Sequence, residues 1–162
     1  MTKLSSVLGS KYESKRKQLF IRTFELGGHT FKVKIPSVAE SDAMYERIQN
    51  PDEARVNAVF EKIAEPLYKF RNQKDLDSEF EFTQDDILVN GRSLRETAKT
   101  KIMTEVRITE LIKLLQPENA KDTLDDITYE DIEAEWPTSV QLALIEKISE
   151  SISPTYKESR GN

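Results

Sequence analysis

Five groups of residues in this 162-residue chain have types that could do chemistry, and their spacing decides what each can do. The single histidine, His29, directly follows Gly27-Gly28, and no second histidine and no cysteine exists to join it, so composition excludes both a histidine-based hydrolase triad and a histidine or thiolate metal site. His29 reads as a turn residue. Asp122, Asp125 and Asp126 lack the Asp-x-Asp-x-Asp-Gly order of a calcium loop. Glu130, Asp131 and Glu133 could bind a divalent ion or work as an acid/base pair, but acids at a helix start are favoured by the helix dipole alone. Gly27-Gly28 has neither the spacing nor the following Lys-Ser/Thr of a phosphate loop. Lys15, Arg16 and Lys17 could touch phosphates, although no aromatic residues are interleaved with them; the alternative is a solvated arm. No catalytic, cofactor-binding or metal-binding residue is assigned, and the chain is expected not to be an enzyme.

The elements that would position these groups follow from local chemistry. Residues 1–17 are polar and basic and are expected to form a flexible arm. From residue 18 the apolar period becomes two: Leu19, Ile21 and Thr23 share one face, and after the Gly-Gly turn Phe31, Val33 and Ile35 alternate with Lys32 and Lys34. This predicts a β-hairpin with one apolar and one basic face, ended by Pro36. An isolated hairpin is marginal in water, so it must lie on helices or pair with a hairpin of another copy.

Ser37 with Glu40 spells a capping box for a helix through Ile48; Asn50-Pro51 is expected to cap and open the next, striped by Val56, Val59, Phe60, Ile63, Leu67 and Phe70 and kinked by Pro66 near Lys62. Residues 72–81 read as a loop. The apolar patch Phe80, Phe82, Ile87, Leu88, Val89 is either a small helix or a short strand before an Asn90-Gly91 turn, and the small helix is favoured. Ser93 and Glu96 box a helix expected to run through Leu115 to the stop at Pro117. In the stretch 127–152, Thr128 and Asp131 cap a short acidic helix, the chain bends at Trp136, and Pro137 opens a last helix whose face carries Val140, Leu144, Ile148 and Ile152 with Leu142 and Ile145 beside them. Trp136 is expected to pack into the bend. The predicted class is α+β, predominantly helical, with an N-terminal β-hairpin followed by four to five helices: one domain over 18–152 and a flexible tail over 153–162.

Charge is unevenly spread: residues 1–34 hold eight Lys/Arg and two acids, whereas residues 118–150 hold ten acids and two bases. With unprotected hairpin edges, this asymmetry predicts a homo-oligomer. The formal net charge of −5 disfavours nucleic acid as the main partner. Apolar runs of three or four residues are far below the ~20 needed to span a bilayer, so no membrane association is expected.

The order of a basic hairpin (LFIRTFELGGHTFKVKIPS), a helical body (VNAVFEKIAEPLYKF) and an acidic helix leading through Pro137 into a final helix (YEDIEAEWPTSVQLALIEKI) resembles the tail assembly chaperones of long-tailed bacteriophages, over roughly residues 19–152. The resemblance implies a small non-catalytic protein of the infected bacterial cytoplasm, absent from the mature virion. It would bind the helical tape-measure protein, and possibly the tail tube protein, to keep the former soluble during tail assembly. It also implies self-association and, in many members, a longer frameshifted product. The helices around Ile102 to Leu115 and Val140 to Ile152 either supply a groove for the tape-measure helix or form the core. The alternative function is a nucleic-acid-associated regulator using the basic arm and hairpin.

Overall fold

The computed structural model describes residues 2–71 and 79–154. The fold is α+β and predominantly helical. In chain order it has α1 (Lys3–Leu8), α2 (Ser10–Leu19), β1 (Ile21–Leu26), β2 (His29–Lys34), α3 (Val38–Gln49), α4 (Glu53–Ala64), a 3-10 segment (Glu65–Phe70), β3 (Phe80–Phe82), β4 (Ile87–Val89), β5 (Arg92–Ser93), α5 (Leu94–Ile112), α6 (Tyr129–Glu135) and α7 (Thr138–Ile152). Where the sequence predicts one domain over 18–152, the chain divides into two compact units, one of residues 1–42 with 108–162 and one of residues 43–107. The tail expected over 153–162 lies, beyond Pro154, outside the described residues.

In the first unit the hairpin forms as predicted. Gly27 and Gly28 have φ of 60° and 80°, the two positive values that a two-residue turn needs to match the strand twist, and Leu26 pairs with His29 across it. Arg22, Phe24, Phe31 and Val33 turn to one face; α7 packs against both strands. Val33 is fully buried, as are Leu144 and Ile148 on α7, while Leu142 stands out in solvent, which narrows the apolar face expected of that helix. One guanidinium N–H of Arg22 donates to the carbonyl of Ser151 at 2.9 Å, placing a cation at the carbonyl end of α7 where the helix dipole favours it.

The helix expected to reach Leu115 ends at Ile112, because residues 114–116 straighten and pair with β2: the Lys34 N–H donates to Leu114 and the Gln116 N–H to Lys32, each at 2.8 Å. Of the two hairpin edges expected to be unprotected, that of β2 is therefore covered.

Thr128 accepts from the Asp131 N–H and the Asp131 carboxylate accepts from the Thr128 N–H, the predicted capping box. Pro137 is the cap of α7 and not its first residue. Trp136 is half-buried at the bend. The fully enclosed group there is Gln141, 4% exposed, whose amide donates to the Trp136 carbonyl at 3.0 Å and accepts from the Tyr129 hydroxyl at 3.2 Å. Gln141→Leu should therefore cost about 1–3 kcal/mol, because it strands the Trp136 carbonyl without its donor. Trp136→Ala should cost about 1–2 kcal/mol, less than a fully buried Trp, since part of the residue already meets water. Urea unfolding of both variants checks the order.

The second unit is built around Val56, Phe60, Ala64, Ile87, Ala98 and Ile102, with Val59, Ile63, Leu67, Phe82, Val89, Leu94 and Val106 packed at its margin. Three boundaries correct the sequence expectation. The cap of α4 is Asp52, which accepts from the Ala54 N–H at 3.0 Å; Asn50 instead closes α3, its backbone and side-chain N–H groups both reaching Glu46 O. At Pro66 the helix does not continue with a kink but tightens into the 3-10 turn Glu65–Phe70, because proline has no N–H to return to Lys62 and its ring crowds that carbonyl. The patch favoured as a small helix is a three-stranded antiparallel sheet, β3-β4-β5, with Asn90 (φ 52°) and Gly91 (φ 79°) making the tight turn. Asp86 holds it in place: its carboxylate accepts from the Ser93 hydroxyl, from the Ile87 N–H at 2.7 Å and from the Arg95 N–H at 2.9 Å, linking β4 to the start of α5.

Candidate binding surface

The polar arm expected over residues 1–17 is helical in the structure. Thr2 caps α1 by accepting from the Ser5 N–H at 3.2 Å, and Gly9, at φ 92°, lets the chain turn into α2. Ser5 is 2% exposed, so one side of α1 is turned inward. The other side carries Leu4, Val7 and Leu8, which at spacings of three and four share a face, and they are 71%, 75% and 56% exposed. Leu19, at the end of α2, is 66% exposed. The sequence signal for this surface was present as the three/four spacing of Leu4, Val7 and Leu8, hidden by the polar residues around them.

A groove of about 350 Å³ lies between α2 and the hairpin, lined by Glu13, Arg16, Lys17, Phe20, Ile21, Lys34 and Gln116. Of the residues expected to reach phosphates, Arg16 and Lys17 line it. Arg16 pairs with Glu13 at 3.5 Å and stacks over Phe20 at 5.7 Å; Lys34 pairs with Glu40 at 3.0 Å. The Lys34 hydrogen bond is the main cause that holds the Glu40 carboxyl below its ordinary pKa, against an opposing effect of burial. With Arg16 and Lys34 already neutralised, Lys17 remains as the cation of the groove without an ion pair among the described residues. At the far end of the hairpin Phe24 stacks on Phe31 at 5.3 Å and His29 meets the Phe31 ring edge-on at 4.6 Å, which gives the histidine a turn-end packing role.

The acidic candidates are spread out. Asp131 is spent on its capping box, and Glu130 and Glu133 are exposed on α6. Among the described residues no group of three His, Cys, Asp or Glu is placed to hold a metal ion. Of the two helices that could have lined a groove, Ile102 is 2% exposed, Leu111 and Ile112 2%, and Leu144 and Ile148 0%, so these residues are core, while Leu142 stands in solvent.

The second unit has its own groove, of about 460 Å³, lined by Gln49, Asn50, Pro51, Glu53, Val56, Asn57, Arg95, Glu96 and Lys99. Arg95 occupies its floor, where it stacks on Phe60 at 4.1 Å, donates to Asn57 and reaches the Asp85 carbonyl at 2.9 Å. A side chain with those commitments supports the fold of this unit and leaves few donors for a ligand. Burial alone would raise the Asp86 pKa; the bonds from Ser93, Arg95 and Ile87 and the Arg95 charge outweigh it and leave the carboxyl below its ordinary value. Because the folded pKa lies below the unfolded one, this stabilisation is complete at neutral pH and is lost as pH falls through the folded pKa, below ~4. Asp86→Asn should therefore unfold more easily at pH 7, by about 1–3 kcal/mol, and show a flatter loss of stability between ~4 and ~2. Denaturant titrations across that pH range provide the check.

Compared with known proteins, the chain matches no family model, no curated protein and no solved structure. No helix among the described residues is long and apolar enough to cross a membrane.

Proposed function

We propose that this protein is an assembly chaperone of the phage-tail type, which binds an amphipathic helix of a long tape-measure protein and shields its apolar stripe until the tail subunits assemble. The observation that supports this is the row Leu4, Val7 and Leu8, left in solvent on a helix that turns Ser5 inward. A helical partner docks by placing apolar anchors against such a row, and burying three side chains of this kind yields several kcal/mol before the cost of association.

The test is co-expression with a tape-measure protein of coiled-coil type. Wild-type chain should keep that protein soluble and co-purify with it. The triple variant Leu4→Asp, Val7→Asp, Leu8→Asp should fold with an unchanged far-UV spectrum and lose co-purification, since all three side chains are exposed. Retention of binding by that variant would contradict the reading.

A further inference from the structure

The remaining hairpin edge, that of β1, is open. In an antiparallel ladder, N–H and C=O groups point alternately toward and away from the neighbouring strand. The Ile35 N–H reaches the Phe20 carbonyl at 2.6 Å, which turns Phe20, Arg22, Phe24 and Leu26 inward to β2 and leaves the backbone groups of Ile21, Thr23 and Glu25 pointing outward. Among the described residues no backbone partner meets them. Natural edges are usually blunted by lysine, proline or a bulge. The strand IRTFEL has neither lysine nor proline, and its register with β2 runs without a bulge.

We propose that a second copy of this chain occupies that edge, β1 against β1 in antiparallel register about a two-fold axis through Thr23. The outward groups fix the phase, and of the registers with that phase the one that pairs all three outward residues sets Thr23 against Thr23 and Ile21 against Glu25 of the other copy, in three reciprocal hydrogen-bonded pairs. The same register sets Arg22 against Phe24, a cation over an aromatic ring, and Phe20 against Leu26. No like charges are opposed. The charge complementarity is specific, because cross-strand partners share a face of the sheet: Glu25 of each copy arrives beside Ile21 of the other, and Ile21 lines the groove that contains Lys17. Glu25 is exposed and, like Lys17, has no ion pair among the described residues of its own chain. Each supplies what the other lacks, twice per dimer. The interface is separate from the Leu4, Val7 and Leu8 row and does not depend on the chaperone reading.

Sedimentation velocity at low salt on the full chain tests it. Wild type should sediment as a concentration-dependent dimer that weakens as salt rises. Thr23→Pro removes an outward N–H while leaving the β1–β2 bonds in place, so it should be monomeric with a native circular dichroism spectrum. Glu25→Lys and Lys17→Glu should each dimerise about tenfold or more weakly than wild type, and an equimolar mixture of the two should regain dimers, because the mixed pair restores attraction at both contacts. The mixing experiment stands even if Thr23→Pro perturbs the strand. A wild type that stays monomeric, a folded Thr23→Pro that stays dimeric, or charge variants that gain nothing on mixing would each overturn the proposal.

Discussion

Phe60→Ala is expected to lower the unfolding free energy of the 43–107 unit by about 3–5 kcal/mol, the largest loss for any single truncation in that unit. Phe60 is 4% exposed at the centre of the cluster formed by α4, β4 and α5, so removing its ring leaves a void that Val56, Ala64, Ile87, Ala98 and Ile102 cannot close without moving backbone. The ring is also the platform for Arg95, whose guanidinium sits 4.1 Å from its centre, and loss of that stacking adds about 0.5–2 kcal/mol. Phe60→Leu keeps most of the volume and should lose clearly less. Urea denaturation followed by far-UV circular dichroism measures both; a loss below about 1 kcal/mol for the alanine variant would mean that the ring is not central to this core.

Ile148→Ala should cost the other unit about 2–5 kcal/mol. Ile148 is fully buried on α7, one turn from Leu144, which is equally buried, on the helix that packs against both hairpin strands. The hairpin has few other means of support: β2 is tied on its far side to residues 114–116 by two backbone bonds, and Arg22 is tied to α7 itself. Weakening α7 therefore weakens the hairpin, and the open edge of β1 with it. Trp136 lies just before α7 and reports on the same region, so its fluorescence should follow the transition. Leu142→Ala, on the exposed side of the same helix, should change stability by no more than about 0.5 kcal/mol. Equal losses at positions 142 and 148 would contradict the placement of α7.

What the sequence made legible was what local chemistry decides. Two glycines between alternating strands specify the first hairpin, and Thr128 with Asp131 marks the start of α6 without reference to anything distant. The misses share a different cause, which is long-range pairing. The run LIKLLQ reads as helix to its end, and only the bonds from residues 114–116 to β2 show why it stops at Ile112. The stretch around Ile87 is too short to display a period, and the choice of strand over helix is held in place by Asp86 reaching forward to Ser93 and Arg95. At Pro66 the stripe keeps its phase, so apolar spacing alone could not distinguish a kinked α-helix from a tighter 3-10 turn. The candidate surface was illegible for a simpler reason: three apolar residues at helical spacing are too few to outweigh the polar and basic composition of residues 1–17.

In the proposed function the α1 face receives a partner helix. Hydrogen exchange of the full chain, alone and with a soluble coiled-coil fragment of a tape-measure protein, tests it most directly. Addition of the fragment should slow exchange in α1 and α2 and leave the 43–107 unit unchanged, with no slowing in the Leu4→Asp, Val7→Asp, Leu8→Asp variant. Protection confined to the Arg95 groove, or the same protection of α1 in the variant, would contradict it.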